Sequence, residues 1–277
     1  MLPTLLKFWE EAALNSKEST LDMLYRVAEK TPPTQRAKAL RPTLNELRKN
    51  TAARICAAAR QGWTQTRIAD SMGITVSGFT HMAQRGFSAS IDSLETLCDC
   101  FLCCSCSELL FGSSQIVITP MELQMFLDSF ELLTKEKRVC VLNDMHANVQ
   151  TSNPLSSSEL VYKRICQIAD DKGVLAESLF EAKECSEMKA AFRKMLDEKK
   201  FVGHVSTFMY FCIVLKVSPD YLLRQDYSRY CGKYKKDGTL SMLSASEQKT
   251  ASLFLRQDYD KQCQTLAKTI VYALNCA

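Results

Sequence analysis

The apolar positions of this chain recur at the three- and four-residue spacing of helices. Leu5, Phe8, Trp9, Ala12 and Ala13 form one such stripe, and Leu21, Leu24, Tyr25 and Ala28 a second. Thr31-Pro32-Pro33 interrupts them, because proline disfavours helix at the residue before it. A basic helical stretch follows through Leu40, Leu44 and Leu47, with Pro42 either kinking it or marking its first turn. Short helical patterns fill 51–112, punctuated by Gly62, Gly73 and Gly86. After a short polar linker, a helical pair runs from Thr119 to about Val149, and Thr119-x-x-Glu122 has the spacing of a capping box. Residues 150–158, QTSNPLSSS, have the composition of a linker, and Ser156-x-x-Glu159 is a second capping candidate. Helical patterns resume from Leu160 to about Leu223. A basic loop bearing tyrosines, 227–239, precedes a last helical pair opened by Ser244-x-x-Glu247.

Each half thus reads as a bundle of short helices followed by a capped pair, an internal duplication with weak identity between copies. The expected fold is all-α. Its expected segments are an N-terminal helical region at 1–50 with a basic second half, a bundle at 51–112, a helical hairpin at 113–150, a second bundle at 151–226, and a basic loop with a second hairpin at 227–277.

Composition agrees. Nine glycines and seven prolines in 277 residues are few for a mostly β chain, which needs turn residues every 8–12 positions or so. A balance of 46% hydrophobic and 24% charged residues argues against disorder. The apolar runs fall short of the ~18 residues of a membrane span, so no membrane partner is expected. Glu10 and Glu11 stand where a signal peptide would carry its apolar block. Without an export signal, 13 cysteines read as free thiols in a reducing cytoplasm.

The most informative stretch is 64–84, TQTRIADSMGITVSGFTHMAQ. Two short helices that cross through a tight turn need a small residue where they meet, and Ala69 supplies it. They need a residue tolerant of positive φ at the turn, and Gly73 stands four positions later. Apolar anchors must hold the second helix down, a role for Phe79 and Met82, with Ile68, Met72 and Ile74 completing the wedge. This segment resembles the helix-turn-helix of the phage repressor and Cro family. Ile55 to Gly62 is similar to that family's first helix, Ile91-x-x-Leu94-x-x-Leu97 to its fourth, and Ser107 to Phe111 to its fifth. Two departures stand out: Ile74 to Arg85 is one residue longer than the family's spacing, and the loop around Cys103-Cys104 also carries one extra.

The resemblance implies two repressor-like bundles, a helix from about Thr75 lying in the major groove, and double-stranded DNA as partner. Val76, Ser77, Thr80 and His81 are its first exposed positions: Val76 for a thymine methyl, Ser77 for a base or phosphate, His81 for a base edge or phosphate. Gln65 and Arg67 open the preceding helix, where the family places phosphate contacts. Thr75, Arg54 and Arg85 complete the expected set. Arg, Asn and Gln, the usual bidentate readers, are missing from the exposed start of the second helix, so specificity is expected to be modest or drawn from DNA shape.

Charge adds support. Net charge is +4, yet 34–91 holds nine basic residues (Arg36, Lys38, Arg41, Arg48, Lys49, Arg54, Arg60, Arg67 and Arg85) against Glu46 and Asp70, a local +7. Such concentration is the footprint of phosphate contact.

In the second half, Val217 to Leu223 resembles the family's last helix and Ile165 to Gly173 its first. The small position falls on Phe180 and the turn glycine on Glu184, and 158–227 carries eleven basic and eleven acidic residues. This half reads as a degenerate copy serving dimerisation or a protein partner, with an unusual second DNA reader as the alternative. The tyrosine loop reads as a solvated linker whose tyrosines pack locally, the alternative being base stacking. Cys98, Cys100, Cys103, Cys104 and Cys106 have ligand-like spacings but no second knuckle, so core packing is expected and no metal or cofactor. No nucleophilic triad, phosphate loop or HExxH motif is present, and no enzyme is expected. The apolar stripes of the hairpins, such as Met125, Phe126, Leu133, Val141 and Leu142, and Leu253, Phe254, Leu266, Ile270 and Leu274, read as core or dimer contacts.

The sequence therefore points to a cytoplasmic, homodimeric, sequence-selective DNA-binding regulator, a repressor by resemblance. The rival is a protein-interaction module or inhibitor on the same scaffold.

Overall fold

The computed structural model describes residues 20–60, 64–84, 90–112, 115–173, 186–235 and 237–275. The chain divides into two compact units, each made from two separate stretches: Met1–Ser114 with Val161–Leu222, and Gln115–Leu160 with Leu223–Ala277. The five consecutive segments expected from sequence are thereby re-sorted. The segments expected to form bundles fall chiefly in the first unit and those expected to form helical pairs in the second. Local periodicity reports which face of a segment is buried, not which distant segment covers it.

In the first unit, α1 (Thr20–Lys30) is followed by α2 (Pro33–Arg60), a single helix with Pro42 inside it. The boundary expected at 50/51 falls within α2, so the N-terminal region and the first bundle share one rod. Ala37, Leu40, Leu44, Leu47, Thr51 and Ile55 are buried along it, a stripe at three- and four-residue spacing that runs past Pro42 without a break. Then come α3 (Gln65–Ser71), α4 (Val76–Gln84) and α5 (Ile91–Thr96), and α5 continues as a π-helical turn over Leu97–Leu102 before α6 (Cys106–Phe111). That π turn takes up the extra residue noted around Cys103-Cys104, with the Cys103 and Cys104 amides both donating to the Cys98 carbonyl.

The second half of the chain contributes α9 (Ser157–Asp171), α10 (Ser186–Glu198), α11 (Val205–Leu215) and α12 (Pro219–Leu223) to this unit. Its α11 is apolar all round, with Val205, Phe208, Met209, Phe211, Cys212, Ile213 and Leu215 buried, and it packs on α1 and α2. A helix hydrophobic on every face must be enclosed, and the N-terminal helices enclose it. Two helix-to-helix joints in this unit have the same form. Cys103 (φ 48°) and Lys216 (φ 53°) each stand in the left-handed region two residues before a serine, Ser105 or Ser218, that precedes the next helix.

The second unit holds α7 (Met121–Glu131), α8 (Lys135–Thr151), α13 (Ala245–Leu255) and α14 (Tyr259–Leu274). Both hairpins open with an 11-residue helix, and the N-caps of their second helices, Thr134 and Asp258, stand three residues after the first helix ends. Phe126 and Phe254 stack between hairpins at 4.4 Å, a contact that adds about 0.5–1.5 kcal/mol to their burial. Leu133 and Val141 are buried as expected, but Met125 and Leu274 are exposed.

Two of the three capping boxes form. Ser244 and Glu247 bond reciprocally, as do Ser156 and Glu159. Thr119 does not cap α7. Pro120 takes the N-cap position, and the Thr119 hydroxyl donates to the Gly232 carbonyl at 3.0 Å. The segments read as linkers instead form a small sheet: β1 (Val117–Ile118) pairs in parallel with β2 (Cys231–Tyr234), and β2 antiparallel with β3 (Leu240–Met242). Gly232 permits the close approach, since a Cβ there would lie 2.5 Å from the Ile116 side chain and 2.9 Å from the Ser241 carbonyl. Tyr227 is buried, Arg224 lies over the Tyr230 ring, and Tyr234 is exposed. The fold is therefore helical with one three-stranded sheet. Among the described residues, no helix is long and apolar enough to cross a membrane.

Candidate nucleic-acid interface

The α3–α4 pair forms where local sequence chemistry places it. The Thr64 hydroxyl accepts from the Arg67 amide at 3.3 Å and caps α3. At the other end, the Gly73 amide donates to Asp70 at 3.1 Å and the Ile74 amide to Ala69 at 3.0 Å. This is a Schellman motif with glycine in the left-handed position, φ +64°. Thr75 then caps α4, its hydroxyl accepting from the Gly78 amide at 3.0 Å. Four residues thus turn the chain from one helix into the next.

Packing fixes the crossing. Ala69 and Phe79 are fully enclosed, and Ile68, Met72 and Met82 are buried beside them, while Ile74 is half-buried. Among the described side chains of α4, Val76, Ser77 and His81 are exposed, and Thr80 is half-buried with its hydroxyl donating to the Val76 carbonyl at 3.0 Å. Val76 is 39% exposed, open enough for a methyl group to pack on it. Gln65 and Arg67 are exposed on α3. The expected residues at the start of α4 and on α3 are thus exposed, apart from half-buried Thr80, and the hydroxyl of Thr75 is engaged as a cap. Arg85 lies outside the described residues, as does the one-residue excess expected at the end of this helix.

Arg54 is a correction. It points away from a phosphate-contacting role: its guanidinium donates to the Leu109 carbonyl at 2.6 Å and packs under Gly112, whose left-handed φ of +78° ends α6. A cation at a helix C-terminus is favoured by the macrodipole. Half-burial depresses the guanidinium pKa without threatening its charge. Arg36 is also engaged, donating to the Thr31 carbonyl at 2.9 Å. Lys38, Arg41 and Lys49 are exposed on α2. The basic surface is thus smaller than the sequence count implied, because net charge says nothing about which cations serve as braces.

The cysteine cluster is divided between interior and surface. Cys98 and Cys106 are fully buried with sulfurs 3.6 Å apart, whereas Cys103 is exposed and Cys104 half-buried. Hydrogen bonds with Cys104 and Cys106, then burial, raise the Cys98 thiol pKa, which keeps it protonated and unreactive. Among the described residues, no group of His, Cys, Asp or Glu converges to hold a metal ion.

In the second copy, Phe180 and Glu184 lie outside the described residues. Phe192 and Met195 of α10 are buried at the same three-residue spacing as Phe79 and Met82 of α4. Sequence reasoning missed Asp220. It is fully buried, and its carboxylate accepts from the Cys106 amide at 2.8 Å, the Ser107 amide at 3.1 Å and the Ser107 hydroxyl at 2.8 Å. One carboxylate from α12 therefore satisfies the first free amides of α6. The Ser107 and Ser218 hydroxyls meet beside it at 3.1 Å. Ser218-Pro219-Asp220 signals a helix start, but no local pattern reveals a partner more than a hundred residues away. No family model matches the chain, and neither does any curated protein or solved structure.

Proposed function

We propose that this chain is a sequence-selective double-stranded DNA-binding regulator, a repressor, with α4 inserted in the major groove. The observation that carries the reading is the exposed ridge of Val76, Ser77 and His81, mounted on a helix whose opposite side is anchored by buried Phe79 and Met82. The N-terminal end of α4 favours phosphate, and exposed Arg67, Lys38, Arg41 and Lys49 add positive charge nearby in sequence. Activity in the cytoplasm as a homodimer, setting two copies of α4 on one duplex, belongs to the same proposal. The exposed Met121, Leu132 and Leu274 of the second unit offer apolar surface for self-association.

The test is selection of bound duplexes from a random pool by the full chain at physiological salt. Enrichment of one motif is expected, palindromic if the chain acts as a two-fold dimer. Arg67→Ala with Ser77→Ala should abolish that enrichment. A pool that stays random would overturn the reading. The same apolar side chains of the second unit favour the rival, a protein-interaction module. In that case the double variant retains its partner and no duplex is enriched.

A further inference from the structure

We propose that α10 is a second DNA-contacting helix, gripping the phosphate backbone of the same duplex that α4 reads. The inference rests on the DNA-binding reading above and extends it to the copy that the sequence assigned to dimerisation or a protein partner.

Register relates the two helices. Phe192 and Met195 are buried on α10 as Phe79 and Met82 are on α4. Aligning these pairs sets Lys189 at the place of Val76, Ala190 at that of Ser77, Arg193 at that of Thr80 and Lys194 at that of His81. All four second-copy residues are exposed. The same count along the sequence puts Ala182 ten residues before Phe192, as Ala69 stands ten before Phe79.

Charge distinguishes them. α10 as a whole is neutral, Lys189, Arg193 and Lys194 against Glu187, Asp197 and Glu198, but its cations stand together at exposed positions in mid-helix while its acids lie at the two ends. Glu198 engages Lys194 at 3.5 Å and Lys200 at 2.8 Å, and such exposed pairs yield readily to a competing phosphate. Lys189 and Arg193 occupy the outward face at two positions that α4 fills with uncharged Val76 and Thr80. Cations without amide or bidentate base readers suit phosphate, which positions a protein without specifying sequence. The two helices complement each other: α4 supplies neutral groups for base edges, α10 the exposed cations Lys189, Arg193 and Lys194 for phosphate. Both helices belong to the first unit, within which Asp220 ties α12 to α6.

Binding of the full chain to a labelled mixed-sequence duplex, followed by fluorescence anisotropy as salt is raised, tests this. Each phosphate contact adds about 0.9 to the slope of log affinity against log salt. The triple variant Lys189→Ala/Arg193→Ala/Lys194→Ala should lower that slope by about 2–3 and weaken binding to all sequences alike. All three side chains are exposed, so an unchanged circular-dichroism melt should accompany the loss. Ser77→Ala with His81→Ala should instead change sequence preference with little change in slope. An unaltered slope in the triple variant, with wild-type binding intact, would overturn the role of α10 and leave that of α4. Loss of slope in the triple variant with no effect of the α4 substitutions would uphold α10 and overturn α4. Wild-type chain that retains no duplex overturns both.

Discussion

Replacing Asp220 probes the joint on which the first unit depends. Its carboxylate accepts three hydrogen bonds, from two amides and one hydroxyl of α6, while fully buried. A hydrogen bond to an ionised group contributes roughly 1.5–3 kcal/mol, and a buried donor left without a partner costs roughly 1–3 kcal/mol. Removing the carboxylate also relieves its own desolvation, so these figures do not add. A net loss of about 3 kcal/mol is expected for Asp220→Ala, within the range measured for breaking buried charged networks. That corresponds to about a hundredfold rise in the opening equilibrium of this region. Asp220→Asn should do little better, because its amide –NH₂ would face donors. Ser107→Ala removes the hydroxyl alone and should cost about 1 kcal/mol. Site-resolved hydrogen exchange is the assay, read at the Cys106 and Ser107 amides. Exchange there should accelerate by about two orders of magnitude in Asp220→Ala. Protection that matches wild type, together with a denaturation midpoint that does not move, would show that the carboxylate is not what holds α6 in solution.

Two further substitutions follow from local geometry. Gly73 sits at φ +64°, and a Cβ added there would meet no atom within 4 Å, so Gly73→Ala should cost about 1–2 kcal/mol through the backbone alone. Gly73→Asn should recover part of it, and equal stability of the alanine variant in urea would refute the left-handed turn. Burial raises the Glu247 carboxyl, but hydrogen bonds from Lys233 and Ser244 outweigh it and leave its pKa below the ordinary 4.5. A depressed carboxylate stabilises the fold fully above its unfolded value, and the contribution fades as pH falls below about 4.5 through the lower folded value. Glu247→Gln should therefore flatten the acid limb of the stability curve, and a wild-type acid limb in that variant would count against the capping box and its lysine.

The helix pair was legible because every determinant of it is local. Ala69, Gly73, Phe79 and Met82 lie within fourteen residues, and their burial and φ follow from helix geometry without knowledge of anything distant. The Ser244 and Ser156 boxes were legible for the same reason. Thr119 had the same spacing and failed because a strand 113 residues away in sequence offered its hydroxyl a better acceptor, the Gly232 carbonyl. Arg54 failed likewise: a guanidinium on a helix has the same sequence signature whether it faces phosphate or braces a neighbouring carbonyl. The sheet was missed because strands of two, four and three residues are too short for period two to register.

Stretches from both halves of the chain share one core. In the first, α2 extends through the expected domain boundary and offers a long apolar stripe. In the second, α11 is apolar on every face and fills the space against α1 and α2. Exposed residues of α4 and α10, Val76, Ser77, His81, Lys189, Arg193 and Lys194, lie outside that core. Selection on an exposed helix face can then exchange neutral side chains for cations at little cost in stability. A net charge taken over a whole bundle averages such a face with acids elsewhere in it. Charge therefore has to be assigned per helix face, after the buried positions have fixed the register, before a second copy can be judged inactive.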